Sequence, residues 1–215
     1  MARPAGKRNS DYSDRRKELL EDAIKRLLAE CQNRPSLRAL ADAAGVSLPT
    51  IVHYFGSRTQ LLESVFILLE EGGRPYLDRV REPSGTFSTS IRELVQFIAD
   101  GFKDGVLVAI HSLGLMEGIR NDEVGPLYLR HLLEPTIEAI GVRLQKHIER
   151  CEMRRVDVRY AANALLSPIL VAFLHQTELS GKKSYPVEIE AFLRSHSTGF
   201  IRGYGKSRSK KMQTL

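Results

Sequence analysis

Only two cysteines, Cys31 and Cys151, occur in the 215 residues, far apart and without a CxxC partner. That excludes a disulfide framework and a cysteine-rich zinc site, and it leaves two buried free thiols as the expectation. Long apolar runs are also missing. The most apolar stretches, near 105–116 and 161–174, are interrupted by His111, Asn163 and Pro168 and fall short of the roughly 18 residues of a membrane span. The opening MARPAGKRNSDYSDRRK carries positive charge but no apolar core, so it does not read as a secretory signal. A cytoplasmic location without membrane contact is the expectation.

Catalytic signatures are absent from the sequence: there is no GxSxG, HExxH, P-loop or Rossmann glycine fingerprint. His131 and Glu134 stand three apart, with Glu138 four further on, but no other segment supplies the matching Glu-x-x-His of a carboxylate-bridged metal site. His147, His175 and His196 are isolated. Neither an enzyme nor a metal or cofactor protein is expected. Two-residue alternation between hairpin turns is lacking too, which argues against a sheet.

What is present is helical periodicity and an excess of positive charge at the two ends. Net charge is +6 with a pI near 9.4. Residues 1–20 hold six basic and three acidic residues, and 202–211 hold Arg202, Lys206, Arg208, Lys210 and Lys211 with no acid. Basic ends suit a polyanion such as DNA, and they suit solubilising tails equally well. Residues 1–11 read as a flexible basic arm, in which Arg3, Lys7 and Arg8 could enter a minor groove or make no contact.

From Ser13 onward, Leu20, Ala23, Ile24, Leu27, Leu28 and Cys31 form one apolar stripe. Ser36 caps a second, short helix with Leu37, Leu40, Ala41 and Ala44 inside. Gly45 stands where a left-handed stop is required. Ser47 caps a third helix, with Pro49 tolerable in its first turn. Gly56 ends that helix, and Ser57 with Gln60 forms a capping box for a fourth, which buries Leu61, Leu62, Val65, Phe66 and Leu69. Gly72, Gly73 and Pro75 predict a kink or break. Further helices are expected over 87–103, 105–119, 122–150, 156–179 and 187–204. The fold class is therefore all-α, with about nine helices.

Two short helices joined by a glycine-containing turn make a helix-turn-helix. Val46 can plug the core beneath the turn, and Ile51 and Phe55 give the third helix one inner face. Leu48, Pro49, Val52 and His53 then point outward, where a major groove would meet them. Arg38 is placed for a guanine edge or a phosphate. Tyr54 and Arg58 lie at the far end, where they could hold phosphates, and Arg58 sits in a helix first turn that attracts anions. His53 could touch a phosphate or be solvated, and Tyr54 could instead be a packing residue.

Leu40-Ala41, Ala44-Gly45-Val46-Ser47, Pro49-Thr50, His53-Tyr54-Phe55, Ser57-Arg58 and Leu61-Leu62 together resemble the TetR family of transcriptional regulators over about residues 15–65. The segment around Pro135 and the ending Phe200–Tyr204 also look similar to that family's core. The resemblance implies a homodimer on a palindromic operator in double-stranded DNA. It implies a DNA-binding head over 12–60, a ligand-sensing and dimerisation core over 61–205, and a basic tail over 206–215. It further implies that Tyr54 and Arg58 hold the DNA backbone while Arg38, Leu48 and Pro49 face bases, with Ser47, Thr50, Val52 and His53 in the same contact set. Two positions depart from the family: Val52 stands where tyrosine is usual, and Arg58 where lysine is usual. Val52 can offer only an apolar contact, such as one to a thymine methyl.

In the larger half, Gly101 and Gly105 are four apart, as are Gly114 and Gly118. A helical glycine costs roughly 1 kcal/mol relative to alanine, so either close packing or room for a ligand should offset it. Phe97, Phe102, His111, Leu115, Met116, Tyr128, His131 and Phe173 are the candidate lining of a small-molecule pocket. Residues 160–174 are apolar nearly all round, and Ile189, Phe192, Leu193, His196 and Phe200 form a stripe on the last helix. Two such helices from each of two chains would make a four-helix seam. The resulting expectation is a ligand-responsive regulator, a repressor by preference. The alternative is an architectural DNA-binding dimer without an effector.

Overall fold

In a computed structural model that describes residues 5–30 and 33–206, and of 5–11 only the backbone, the chain is all-α. Eleven α-helices occur among the described residues: α1 (Ala5–Ala29), α2 (Leu37–Ala43), α3 (Leu48–Phe55), α4 (Arg58–Arg81), α5 (Phe87–Lys103), α6 (Val106–Arg120), α7 (Val124–Tyr128), α8 (Glu134–Glu149), α9 (Val158–Thr177), α10 (Gly181–Ser184) and α11 (Ile189–Tyr204). A π-helical stretch, Leu129–Leu133, joins α7 to α8. Arg3, Cys31, Arg208, Lys210 and Lys211 lie outside the described residues, as do the side chains of Lys7 and Arg8.

The chain divides into two compact units with interleaved segments. One comprises the chain up to Gly73 together with Ala109–Leu133, and the other Arg74–Val108 with the chain from Glu134 onward. In the first unit a single core runs from Leu19, Leu20, Ala23 and Leu27 through Leu40, Ile51 and Phe55 to Leu61, Leu62, Val65 and Phe66, and ends on Leu113, Val124 and Tyr128. The short helices α2 and α3 therefore share their core with α4, α6 and α7. That shared burial stabilises elements of seven and eight residues, too short to hold alone.

The second unit packs α5 against α11 and α8 against α9. Arg143 of α8 is buried there, and burial pulls its pKa down against the opposing pull of the Glu93 and Glu82 carboxylates. Its Nε donates to the Val80 carbonyl at 2.6 Å, Nη2 to the Arg79 carbonyl at 2.9 Å and Nη1 to Ser90 Oγ at 2.9 Å. The guanidinium thus caps the last turn of α4, where carbonyls lack intrahelical donors.

Several sequence expectations are corrected. α1 already runs from Ala5, so residues 5–11 have helical backbone rather than an irregular arm. α4 continues through Gly72, Gly73 and Pro75 to Arg81 without a break. The expected helix over 122–150 is divided by the π stretch: Pro135 has no N–H to offer the His131 carbonyl, so the ladder before it widens. Cys151 is exposed in a left-handed residue just past α8, not buried. α9, with mean hydropathy 1.3, is long and apolar enough to cross a membrane by length and composition, because a helix tolerates the polar residues that interrupted the run in sequence. Here Ala161, Ala162, Leu165, Leu166, Ile169, Leu170 and Phe173 of α9 are buried.

The glycine question resolves towards close packing. A Cβ on Gly114 would overlap the Tyr128 ring, one on Gly118 would lie 2.9 Å from Gly125 Cα, and one on Gly101 would lie 2.8 Å from Leu107 Cδ1. Gly105 instead ends α5, with φ +82°.

Candidate nucleic-acid interface

Local chemistry builds the helix-turn-helix as the sequence predicts. Ser36 Oγ accepts from the Ala39 amide at 3.2 Å and Ser47 Oγ from the Thr50 amide at 3.3 Å, so each short helix has its cap. Gly45 adopts φ +65°, and the turn closes with the Val46 amide on the Ala41 carbonyl at 3.0 Å. Val46 packs against the core, as do Leu37 and Ala44. At the end of α3, the Ser57 amide donates to Gln60 Oε1 at 2.8 Å and the Gln60 amide to Ser57 Oγ at 3.3 Å, which completes the capping box.

With Ile51 and Phe55 buried, the opposite face of α3 is open: Pro49, Val52 and His53 are exposed and Leu48 is half-buried. Val52, at 46% exposure, is an apolar side chain presented to solvent at the centre of that face. Arg38 is exposed on the second residue of α2. The Ser47 and Thr50 hydroxyls lie 2.8 Å apart and hydrogen-bond to each other at the start of α3.

Tyr54 and His53 are organised by a residue the sequence reading missed. Tyr12 of α1 stacks on Tyr54 at 4.8 Å between centroids and meets His53 edge-on at 6.1 Å. Arg16, one turn along α1, lies over the Phe55 ring at 5.0 Å and donates to Ser64 Oγ at 2.8 Å. The period of α1 was legible, but nothing in the sequence indicated that its first turns reach α3.

Arg58 departs from the expected outward phosphate ligand. Its Nη2 lies 2.5 Å from Glu117 Oε1, its Nε 3.4 Å from Oε2, and its Nη1 donates to the Pro35 carbonyl. Glu117 comes from α6 and is 2% exposed, so Arg58 is drawn inward to neutralise a buried carboxylate.

The eight candidate pocket residues are divided between the two units. In the first, His111 Nδ1 and Tyr128 Oη are 2.9 Å apart, and His131 Nδ1 lies 2.6 Å from Glu70 Oε2. Leu115 packs half-buried on the core, and Ser112 Oγ donates to Met116 Sδ at 3.7 Å. Burial lowers the His111 pKa to about 4, which makes it a neutral imidazole at pH 7, and raises that of Tyr128. In the second unit Phe97 stacks on Tyr76 at 4.6 Å and Phe102 on Phe173 at 5.1 Å. Glu134 pairs with Arg159 of α9 rather than with His131. Among the described residues, no group of three or more His, Cys, Asp or Glu comes together to hold a metal.

The family model for bacterial regulatory proteins of the tetR family matches residues 32–65, which is the segment holding α2, α3 and the start of α4. No curated protein matches the chain. A structure described as a TetR-family transcriptional regulator from Mesorhizobium loti superposes with TM-score 0.74 at 16% identity, covering 91% of this chain and 98% of that one. A transcriptional regulator from Saccharomonospora viridis in complex with choline gives TM-score 0.68 at 18% identity, covering 91% and 100%. The flavonoid-responsive regulator FrrA gives 0.64 at 22%, covering 90% and 98%. At these identities the likeness is one of fold, and the family match is confined to the helix-turn-helix segment. Residues 32–65 thus match the DNA-binding segment of the tetR family of bacterial regulatory proteins, in a chain that shares the fold of TetR-family structures along nine-tenths of its length.

Proposed function

We propose that this protein is a TetR-family transcriptional regulator, a cytoplasmic repressor that binds a palindromic operator as a homodimer and releases it when a small apolar or amphipathic molecule enters its core. The observation that carries the DNA reading is the open face of α3, uncharged at Leu48, Pro49 and Val52 and flanked by Arg38, His53 and Tyr54. Leu48, Pro49, Val52 and Arg38 meet base edges, Ser47 and Thr50 lie at the start of the helix against the backbone, and Tyr54 and His53 hold phosphates. On this reading residues 12–60 are the head and 61–205 the sensing and dimerisation part.

For the dimer, α9 leaves Tyr160, Ala164, Ser167 and Val171 exposed at four-three-four spacing, a stripe without charge along one face. Leu193 and Phe200 of α11, also expected at the seam, are buried within their own unit, but Ser195, Gly199 and Gly203 of α11 are exposed and small enough for close approach. A second copy would cover both helices. For the effector, two relatives of the same fold are named for choline and for flavonoids, which places their ligands among small organic molecules.

The rival reading, an architectural dimer without an effector, draws support from the glycines of α6, whose space is filled by Tyr128 and Gly125. The two are separated by measuring binding to a duplex selected by the protein from a random pool, with and without a panel of quaternary amines and planar phenolics. Release by any member together with a raised melting temperature supports the repressor. No release and no thermal shift across the panel supports the architectural dimer.

A further inference from the structure

Glu117 lies near the end of α6 at 2% exposure. A buried carboxylate is unfavourable unless cations meet it, and the two that do flank the helix-turn-helix on either side. Arg34 precedes α2 and holds φ +48°, a left-handed conformation that a non-glycine residue keeps only when its surroundings impose it. Its Nε lies 3.1 and 3.2 Å from the two oxygens of Glu117. Arg58 follows α3 and places Nη2 at 2.5 Å and Nε at 3.4 Å from the same carboxylate. Its remaining nitrogen reaches the Pro35 carbonyl, so the two sides of the motif are tied to each other as well as to α6. All three residues belong to the same compact unit.

We propose that Glu117 is a positioning residue for DNA binding: through Arg34 and Arg58 it fixes the helix-turn-helix on α6 and so sets the direction in which α3 presents its outer face. The inference rests on the DNA-binding reading above and adds a determinant outside the motif. Arg58 is then a strut rather than a phosphate ligand, because all three of its guanidinium nitrogens face Glu117 or Pro35. A movement of α6 carries Glu117 with it, and either drags both arginines or breaks two charge-assisted pairs. Each of these moves α3.

The test compares wild type with Glu117→Gln, Arg58→Ala and Arg34→Ala on two duplexes across a salt series. One duplex is enriched by the wild-type protein from a random pool and the other is of mixed sequence. Positioning predicts a loss of about tenfold or more on the selected duplex, affinity within about twofold on the mixed one, and an unchanged salt slope, since no phosphate contact is removed. Glu117→Gln combined with Arg58→Ala should lose less affinity for the selected duplex than the two single losses added together, because the Arg58–Glu117 pair is common to both.

The inference is overturned if Arg58→Ala weakens both duplexes and lowers the salt slope by about 0.9 while Glu117→Gln binds as wild type. It is equally overturned if all three variants match wild type on the selected duplex. Arg34→Ala, whose side chain is 40% exposed, keeps the test decisive should Glu117→Gln fold poorly, and melting curves report that. Wild type that binds neither duplex refutes the DNA-binding reading itself, a different outcome.

Discussion

Gly114 shows how a single residue can reverse the usual propensity argument. Alanine in its place would gain roughly 1 kcal/mol of helix propensity, yet its methyl would overlap the buried Tyr128 ring, which is already fixed by His111 and by an edge contact to Phe66. Overpacking of this kind costs about 1–3 kcal/mol. Gly114→Ala should therefore lower the melting temperature, and a variant as stable as wild type would mean that the ring is free to move. His111 supplies a pH prediction. Its pKa is about 4 in the folded protein against 6.5 for the free side chain, so the unfolded chain takes up the proton first as pH falls. The stability is complete above about pH 6.5 and is lost progressively towards pH 4, by up to about 3 kcal/mol at about 1.4 kcal/mol per decade. Burial also lowers the pKa of His147, with the same sign. Urea midpoints measured from pH 7.5 to 4.5 should fall for wild type and fall less for His111→Gln.

At the scale of elements, the caps were legible because they are local chemistry. Ser36, Ser47 and the Ser57–Gln60 pair each act within three residues, and each forms as the sequence predicts. The run Gly72, Gly73 and Pro75 misled for the opposite reason. Propensity disfavours a helix there, but α4 is anchored by buried Leu61, Leu62, Val65 and Phe66 before it and by Leu77, Val80 and the Arg143 cap after it. The weak stretch is carried by its ends. A Cβ on either glycine meets no other atom within 4 Å. Gly72→Ala with Gly73→Ala should thus stabilise the protein by about 1–2 kcal/mol. If α4 transmits effector binding through a compliant middle, the same double variant should alter effector-driven release more than DNA affinity. Release unchanged from wild type would remove α4 compliance from the mechanism.

For the whole molecule, the proposed function assigns two exposed features to other macromolecules: the face of α3 to DNA and the uncharged stripe of α9 to a second copy. Val171 is 61% exposed in the middle of that stripe. Placing an arginine there leaves the buried face of α9 intact but sets like charges against each other across the proposed two-fold seam. Val171→Arg should yield monomers by sedimentation with little change in melting temperature at low concentration. It should also lose operator affinity, since each head alone reads only a half-site. A dimer that survives this substitution would place the seam elsewhere.

The sequence by itself determined the helical class, the caps, the turn at Gly45 and the division of α3 into an inner face of Ile51 and Phe55 and an outer face of Pro49, Val52 and His53. These depend on interactions over a few residues, where spacing and residue type carry the information. Only the tertiary structure decided that Arg58 turns inward to Glu117, that Tyr12 stacks on Tyr54, that Arg143 closes α4 and that the glycines of α6 are filled by Tyr128 and Gly125. Each of these joins residues far apart in the chain, and the partner that satisfies a buried charge or fills a gap is chosen by packing, which no local pattern encodes.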